Sequence, residues 1–293
     1  MVPTPGTPAA IAEPLSYPGE PPPTSILFVS GCSEDHHPKL ELRSGRRLGQ
    51  ASLDRQKETP EEARRSATLN TALHRLNKIG VNHRVPVVAY GSNANVAQLT
   101  EKFRDYPDPV AIPVVKATIG AVDIAYSAHM SEHTYIPVTL IARDGAATEV
   151  FVLFLDDNEV THLSKSEPNY RLARFAGSAY PLELESGERL DSYYVYVSRH
   201  GVLHLGGHPR FFTGSGASQP TILEEVLAHI SALEGLADVP RGAEQFVERA
   251  ESDDELRMLV SEVLREQYSS PMFPQPQETS AERCLRYGAI VSS

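Results

Sequence analysis

Between residues 85 and 198 the chain is a succession of β-type runs, and that stretch restricts the fold more than any other part of its 293 residues. Val85 to Tyr90, Val114 to Tyr126, Tyr135 to Ala142 and Glu149 to Leu155 read as strands, followed by Arg171 to Phe175, Tyr180 to Glu185 and Asp191 to Ser198. Tyr193-Tyr194-Val195-Tyr196-Val197 has the aromatic and β-branched bias that suits a packed, pleated surface. Two helical pieces interrupt the series, Val96 to Phe103 and a short one around Glu159 to Ser164.

Helices are signalled on both sides. Thr59-Pro60-Glu61-Glu62 sets a cap, a first-turn proline and a capping-box Glu in order, with Ala63, Ala67, Ala72, Leu73 and Leu76 behind. Ser218 precedes Pro220 and an apolar stripe from Ile222 to Leu233, and Ser252-Asp253-Asp254-Glu255 opens another helix over Leu256, Leu259, Val260, Val263 and Leu264. Eight of the first 23 residues are proline, and proline fixes φ and removes a donor, so residues 1–24 are expected to be a disordered tail. A partly helical extension over 25–84 follows, opening on a short strand from Ser25 to Val29, and the segment from Glu34 to Lys57 shows no clear period. The expected organisation is then an α+β domain over 85–235 and a C-terminal helical extension over 236–293.

Charge excludes some partners. Twenty-seven basic against thirty-eight acidic residues leave a net charge of −11, opposed to a grip on nucleic acid or an anionic membrane. Cys32 and Cys284 are the only cysteines, too few for a disulfide framework and without a CxxC pair. The chain opens with neither a basic nor an apolar leader segment, and Val150 to Leu155 is far too short to span a bilayer, so the expectation is a cytoplasmic protein.

Two segments carry chemistry. Val87-Val88-Ala89-Tyr90-Gly91-Ser92-Asn93 is a buried strand stopped by Gly-Ser-Asn just before a helix. Backbone N–H groups at such a turn suit a carboxylate or a developing oxyanion, Gly91 admits a ligand close to the backbone, and Ser92 and Asn93 add donors. Read alone, the same tripeptide also suits plain capping of the helix beginning near Asn95. The second segment, Leu163 to Arg171, presents Glu167 just past a short amphipathic turn, where a solvated acid is the bland alternative. His36-His37 and the set His200, His204 and His208 lack the Cys or carboxylate that would complete a metal site, and glycines with Pro209 oppose a helix there. Gly214-Ser215-Gly216 before a helix lacks the lysine of a phosphate-binding loop and reads as a capping turn.

Taken together, Tyr90-Gly91-Ser92-Asn93 at the end of a strand and the later block from Glu149 to Tyr170 resemble the γ-glutamyl-cyclotransferase-like superfamily. Thr139-Leu140 is similar to that family's Ala-Thr-Ile strand, and Ser192 to Tyr196 to its aromatic strand. The resemblance runs from Val85 to Leu233. It implies a small mixed β-barrel with flanking helices, Glu167 as the catalytic acid/base, and Tyr90, Gly91, Ser92 and Asn93 as the substrate loop. It also implies release of 5-oxoproline from a small-molecule γ-glutamyl amine or peptide, with no cofactor and no metal. Three departures stand beside it: Pro168 in place of the usual Gly, Tyr135-Ile136-Pro137-Val138 in place of a Gly-rich approach, and no tyrosine between Tyr196 and Tyr268, where Phe211 and Phe212 sit instead. A non-catalytic binding module on the same fold, or another acyl transferase acting on γ-glutamylated metabolites, are the alternatives. Oligomeric state is not legible.

Overall fold

Side chains alternate across a strand, so a sheet covered on one face buries every second residue there. The computed structural model describes residues 13–33, 36–54, 68–212, 217–230, 236 and 238–273; in its main sheet the long strands are instead buried on both faces, with every residue of 150–155 inside. These residues fold into two compact units, each assembled from separate stretches of chain. A sheet unit comprises the described residues within Glu20–Ala121 and Gly145–Tyr196, and a second unit those within Met1–Gly19, Val122–Asp144 and Val197–Gln277.

The main sheet contains β1 (Ile26–Val29), β2 (Lys39–Glu41), β3 (Ser52–Asp54), β4 (Val85–Ala89), β5 (Ala111–Tyr126), β6 (Val138–Leu155), β7 (Tyr170–Ala176), β8 (Leu182–Leu184), β9 (Arg189–Leu190) and β10 (Ser192–Ser198). Their order is β3-β2-β1-β5-β6-β4-β10-β7, with β8 on β5 and β9 on β8. β4 runs antiparallel to β6, with Val87 opposite Leu153, and parallel to β10, with Val87 opposite Tyr194. The architecture is therefore α+β with a mixed sheet, as the sequence predicts. The sheet is open, with β3 and β7 as its ends, where a closed barrel was expected. The runs ending at Ala142 and beginning at Glu149 are one 18-residue strand, β6.

One face of this sheet is covered by α2 (Val96–Lys102) and α3 (Asp157–Lys165), while α1 (Leu69–Arg75) lies earlier in the same unit. Val96, Leu99, Val160 and Leu163 from the helices join Val87, Ala89, Phe151, Leu153 and Leu155 in a single core. Each such side chain, fully buried, contributes on the order of 1.5–3 kcal/mol, enough to fix both helices on the strands. α3 opens with a full capping box, Asp156 to the Glu159 amide and Glu159 to the Asp156 amide. The segment read as lacking a period contains β2 and β3, which pair with Leu40 opposite Leu53. The helix opening at Thr59 lies outside the described residues; α1 is capped by Thr68, whose Oγ1 accepts from the Thr71 amide at 3.3 Å.

The second unit holds α4 (Gln219–Ile230), α5 (Ala243–Ala250) and α6 (Asp254–Gln267), with β11 (Val202–Leu205), β12 (His208–Pro209) and β13 (Ser269–Ser270) in the order β12-β11-β13. Ile222, Leu223, Val226, Leu227 and Ile230 are the buried stripe of α4, and Asp253 caps α6 through the Leu256 amide at 2.9 Å. Part of the proline-rich segment is packed, which corrects the expected tail over 13–24. Residues Pro14–Ser16 form a 3-10 turn, and buried Tyr17 stacks on Tyr135 with centroids 4.1 Å apart. The Tyr17 hydroxyl accepts from the Val138 amide at 3.3 Å, so an aromatic between prolines gains a partner that composition does not reveal. Residues 1–12, Gly214-Ser215-Gly216 and 274–293 lie outside the described residues. His204 and His208 sit on the strands of a hairpin, not on a helix. No described helix is long and apolar enough to cross a membrane.

Candidate functional site

Two arms of chain meet in the sheet unit, and a buried ion pair joins their roots. Arg84 immediately precedes β4, and its Nη1 donates to Glu159 Oε2 of α3 at 2.9 Å and to the Phe154 carbonyl at 3.0 Å. Both side chains are fully buried. Burial pushes the Glu159 carboxyl above its ordinary range, against the pull of Arg84 and of the Asp156 amide. From this point β4 leads to Tyr90, and α3 leads to Glu167.

At the tip of the first arm, residues Ser92–Ala94 form a 3-10 turn and α2 starts at Val96. The amides of Ala94 and Asn95 donate to Gly91 and Ser92 carbonyls at 2.9 and 3.0 Å. The two amides that follow the Tyr-Gly-Ser-Asn loop are thus used inside the turn. Asn95, not the Gly-Ser-Asn tripeptide, caps α2, its Oδ1 accepting from the Gln98 amide at 3.0 Å. At the tip of the second arm, the Tyr170 amide donates to the Glu167 carbonyl at 3.1 Å, closing a turn with Pro168 at its second position. Proline pre-sets the backbone that position needs, so Pro168 fixes the chain directly after Glu167.

Asn93 and Glu167 are brought together. Asn93 Nδ2 donates to Glu167 Oε1 at 2.9 Å across 74 positions of sequence. Lys102, the last residue of α2, completes a triad: its Nζ donates to Glu167 Oε1 at 2.6 Å and to Asn93 Oδ1 at 2.7 Å. The Lys102 and Glu167 side chains are 14% and 10% exposed, so the cluster is recessed yet reaches solvent. Glu167 Oε2 makes no hydrogen bond among the described residues. The Lys102 carbonyl accepts from His162 Nε2 at 2.8 Å, which ties the end of α2 to α3.

Tyr90 bonds across the sheet: its hydroxyl donates to the Tyr196 carbonyl and clamps the end of β4 to β10. Tyr196 Oη shares a hydrogen bond of 2.7 Å with Ser164 Oγ. Burial, together with the Glu167 charge, pushes the Tyr196 phenol above its ordinary value, so it stays protonated. Gly91 and Ser92 are half-buried in the turn, and the side-chain bonds to Glu167 come from Asn93 and Lys102. Of the five residues singled out in the sequence, the structure joins Asn93 and Glu167 side chain to side chain. Tyr90 acts on the backbone of β10.

Lys102, Ser164 and Tyr196 were missed. Position 102 carried a signal of a kind: it ends the two-turn helix that opens just after Asn93, and helical side chains tilt toward the N-terminus, so a long lysine stem there can reach back to the entry loop. Nothing local indicates that Lys102 faces Glu167. The arrangement offers a carboxylate oxygen with an open partner oxygen, an amide presenting both donor and acceptor, and an ammonium between them. A cleft of about 660 Å³ in the same unit is lined by other residues, among them Lys116, Glu149, Glu183 and Glu185. Among the described residues, no group of three His, Cys, Asp or Glu is placed to hold a metal ion.

No family model matches the sequence, and no curated protein matches it. Solved structures that match this chain include the following three. A protein titled gamma-glutamyl cyclotransferase is 10% identical with a TM-score of 0.33, covering 69% of this chain and 96% of its own. An uncharacterized protein from Homo sapiens is 10% identical with a TM-score of 0.33, covering 70% and 97%. YkqA from Bacillus subtilis is 15% identical with a TM-score of 0.31, covering 61% and 57%.

Proposed function

We propose that the chain is a cyclotransferase acting on a γ-glutamyl amine or peptide, with Glu167 as general acid/base and Asn93 holding it beside the substrate. The observation that supports this is the 2.9 Å contact between Asn93 and Glu167, two residues that local structure gives no reason to meet. The reaction is internal aminolysis. The substrate's α-ammonium gives a proton to the Glu167 carboxylate, and the freed amine adds to the γ-carbonyl carbon, forming the ring C–N bond. The bond to the departing nitrogen then breaks. The two protons lost by the attacking nitrogen end on the leaving amine, Glu167 carrying them in turn, so charge and atoms balance between substrate and 5-oxoproline plus ammonium product. Folding the glutamyl chain into a near-attack ring supplies a large part of the rate.

A second reading is favoured by one specific contact. Lys102 already occupies Glu167 Oε1 at 2.6 Å, which suits a module that binds ligands on this fold without turnover. Incubation with a panel of γ-glutamyl amines and measurement of 5-oxoproline separates the two. Cyclotransfer predicts release with the parent protein and a loss of about 10²–10⁴-fold in Glu167→Gln, whose amide matches the carboxylate in size but accepts no proton. Saturable binding with no 5-oxoproline from any member of the panel would establish the binding module instead.

A further inference from the structure

An ammonium group sits where a proton-donating substrate amine has to go, and it belongs to the protein. Lys102 Nζ lies against Glu167 Oε1 at 2.6 Å and Asn93 Oδ1 at 2.7 Å. A substrate α-ammonium that hands its proton to Glu167 needs a hydrogen bond to this same carboxylate, and Asn93 Oδ1 is the acceptor beside it. We propose that Lys102 is an internal ligand of an ammonium subsite formed by Asn93 and Glu167, and that it swings out when a ligand bearing a primary ammonium binds. The inference rests on the proposed site for its substrate, and on the triad's geometry alone for the subsite.

Three features suit displacement better than a permanent strut. The backbone of Lys102 is anchored independently, through its carbonyl to His162 Nε2 at 2.8 Å, so leaving the triad takes only rotation of a four-carbon stem. The side chain is 14% exposed, which gives the departing ammonium a path to water. Asn93 is bonded to Glu167 directly at 2.9 Å, a contact that does not pass through the lysine and so gives the subsite a frame of its own. A lysine tethered this close competes at an effective concentration on the order of millimolar or higher. The apparent affinity for a free ligand is reduced by the fraction of molecules in which the subsite is open. Lys102 thus sets the substrate level at which the site fills, and favours ligands whose other contacts offset the displacement.

The test replaces Lys102 by Ala and uses methylammonium chloride as the probe, with sodium chloride at equal concentration as the ionic control. Methylammonium is expected to raise the melting temperature of Lys102→Ala above the sodium control and to leave the parent protein at the control value. Equal effects of the two salts on the variant would overturn the subsite. A parallel measurement needs no variant to fold: the parent protein is labelled at lysine Cε and titrated with γ-glutamyl methylamide to saturation. The Lys102 resonance is expected to move, and a Lys102 signal unchanged at saturation would overturn displacement. With Lys102→Ala, the apparent Kd for γ-glutamyl methylamide should fall by about tenfold or more, as follows from a subsite closed in most molecules. A Kd that rises instead would make Lys102 a binding residue and sink the proposal. The methylammonium readout is independent of 5-oxoproline release, so a subsite that takes methylammonium in a protein without turnover leaves the inference standing and removes only the cyclotransferase.

Discussion

Histidine 129 shows at the scale of one residue how burial turns a side chain into a pH-dependent element. It lies 2% exposed in the second unit, its Nδ1 bonded to Ser127 Oγ at 2.8 Å and its ring 4.4 Å from that of His200. Burial, then the facing charges of His200 and Arg265, push its pKa from 6.5 down to about 3. The unfolded chain therefore binds a proton that the folded chain refuses over that interval. The contribution of His129 is fully present above pH 6.5 and is lost as pH falls toward 3. At about 1.4 kcal/mol per pH unit, acidification from 6.5 to 5 removes about 2 kcal/mol. His37, His133, His200 and His204 are shifted in the same direction, so the comparison has to be made against a variant. Denaturant melts of His129→Asn, which keeps a partner for Ser127, should show a pH 6.5-to-5 loss smaller than the parent's by about that amount. Identical slopes would mean His129 is charged in the folded protein.

At the scale of elements, the Arg84–Glu159 pair is better understood as a positioning device than as a source of stability. Arg84 Nη2 and Glu159 Oε1 have no hydrogen-bond partner among the described residues, so desolvation of both ions is incompletely offset. What the pair does is tie the strand that leads to Asn93 to the helix that leads to Glu167. Arg84→Met should cost about 3–5 kcal/mol, because it strands a buried carboxylate. Adding Glu159→Gln, whose side-chain oxygen still accepts from the Asp156 amide, should recover most of that loss. The deficit of the single variant should shrink as pH falls, since burial already raises the Glu159 pKa and a folded state that holds a proton more tightly is favoured on acidification. Urea melts of the two variants at pH 5 and pH 8 check both statements. A double variant no more stable than the single one would remove the argument.

For the whole molecule, the consequence of discontinuous units is that no single segment holds a complete one. The block 85–235, which its composition sets apart, lacks β1, and β1 pairs with β5 from Ile26 opposite Val114 to Val29 opposite Ala111. It also lacks Ser25, whose hydroxyl donates to Glu185 at 2.7 Å and accepts from the Lys116 amide at 2.9 Å. Expressed alone, residues 85–235 should expose an unpaired edge on β5 and aggregate, while a chain starting near residue 13 stays soluble. A dispersed proton NMR spectrum from the isolated block would contradict this.

The apolar, aromatic and β-branched runs determined that strands form over 85–198, because such side chains favour an extended backbone, and most of the strands fall within a few residues of where the sequence sets them. The helices opening at Ser218 and at Ser252-Asp253 were likewise written in their caps, whereas Asn95 and Asp156 emerge as the caps of α2 and α3 only in the structure. The Tyr-Gly-Ser-Asn loop and Glu167 were legible as candidates through residue type and order. Tertiary structure alone decided that Lys102 reaches Glu167 across 65 positions, that the Tyr90 hydroxyl bonds the backbone of β10, and that Tyr17 packs where proline content suggested a tail. It also decided that the sheet stays open and that each unit is drawn from distant stretches. The physical reason is the range of the forces. Capping, φ preference and side-chain alternation act within a few residues and leave a mark in the sequence. A long-range hydrogen bond between polar side chains leaves none, because its partner is chosen by how the hydrophobic faces of β4, β6, α2 and α3 close on one another.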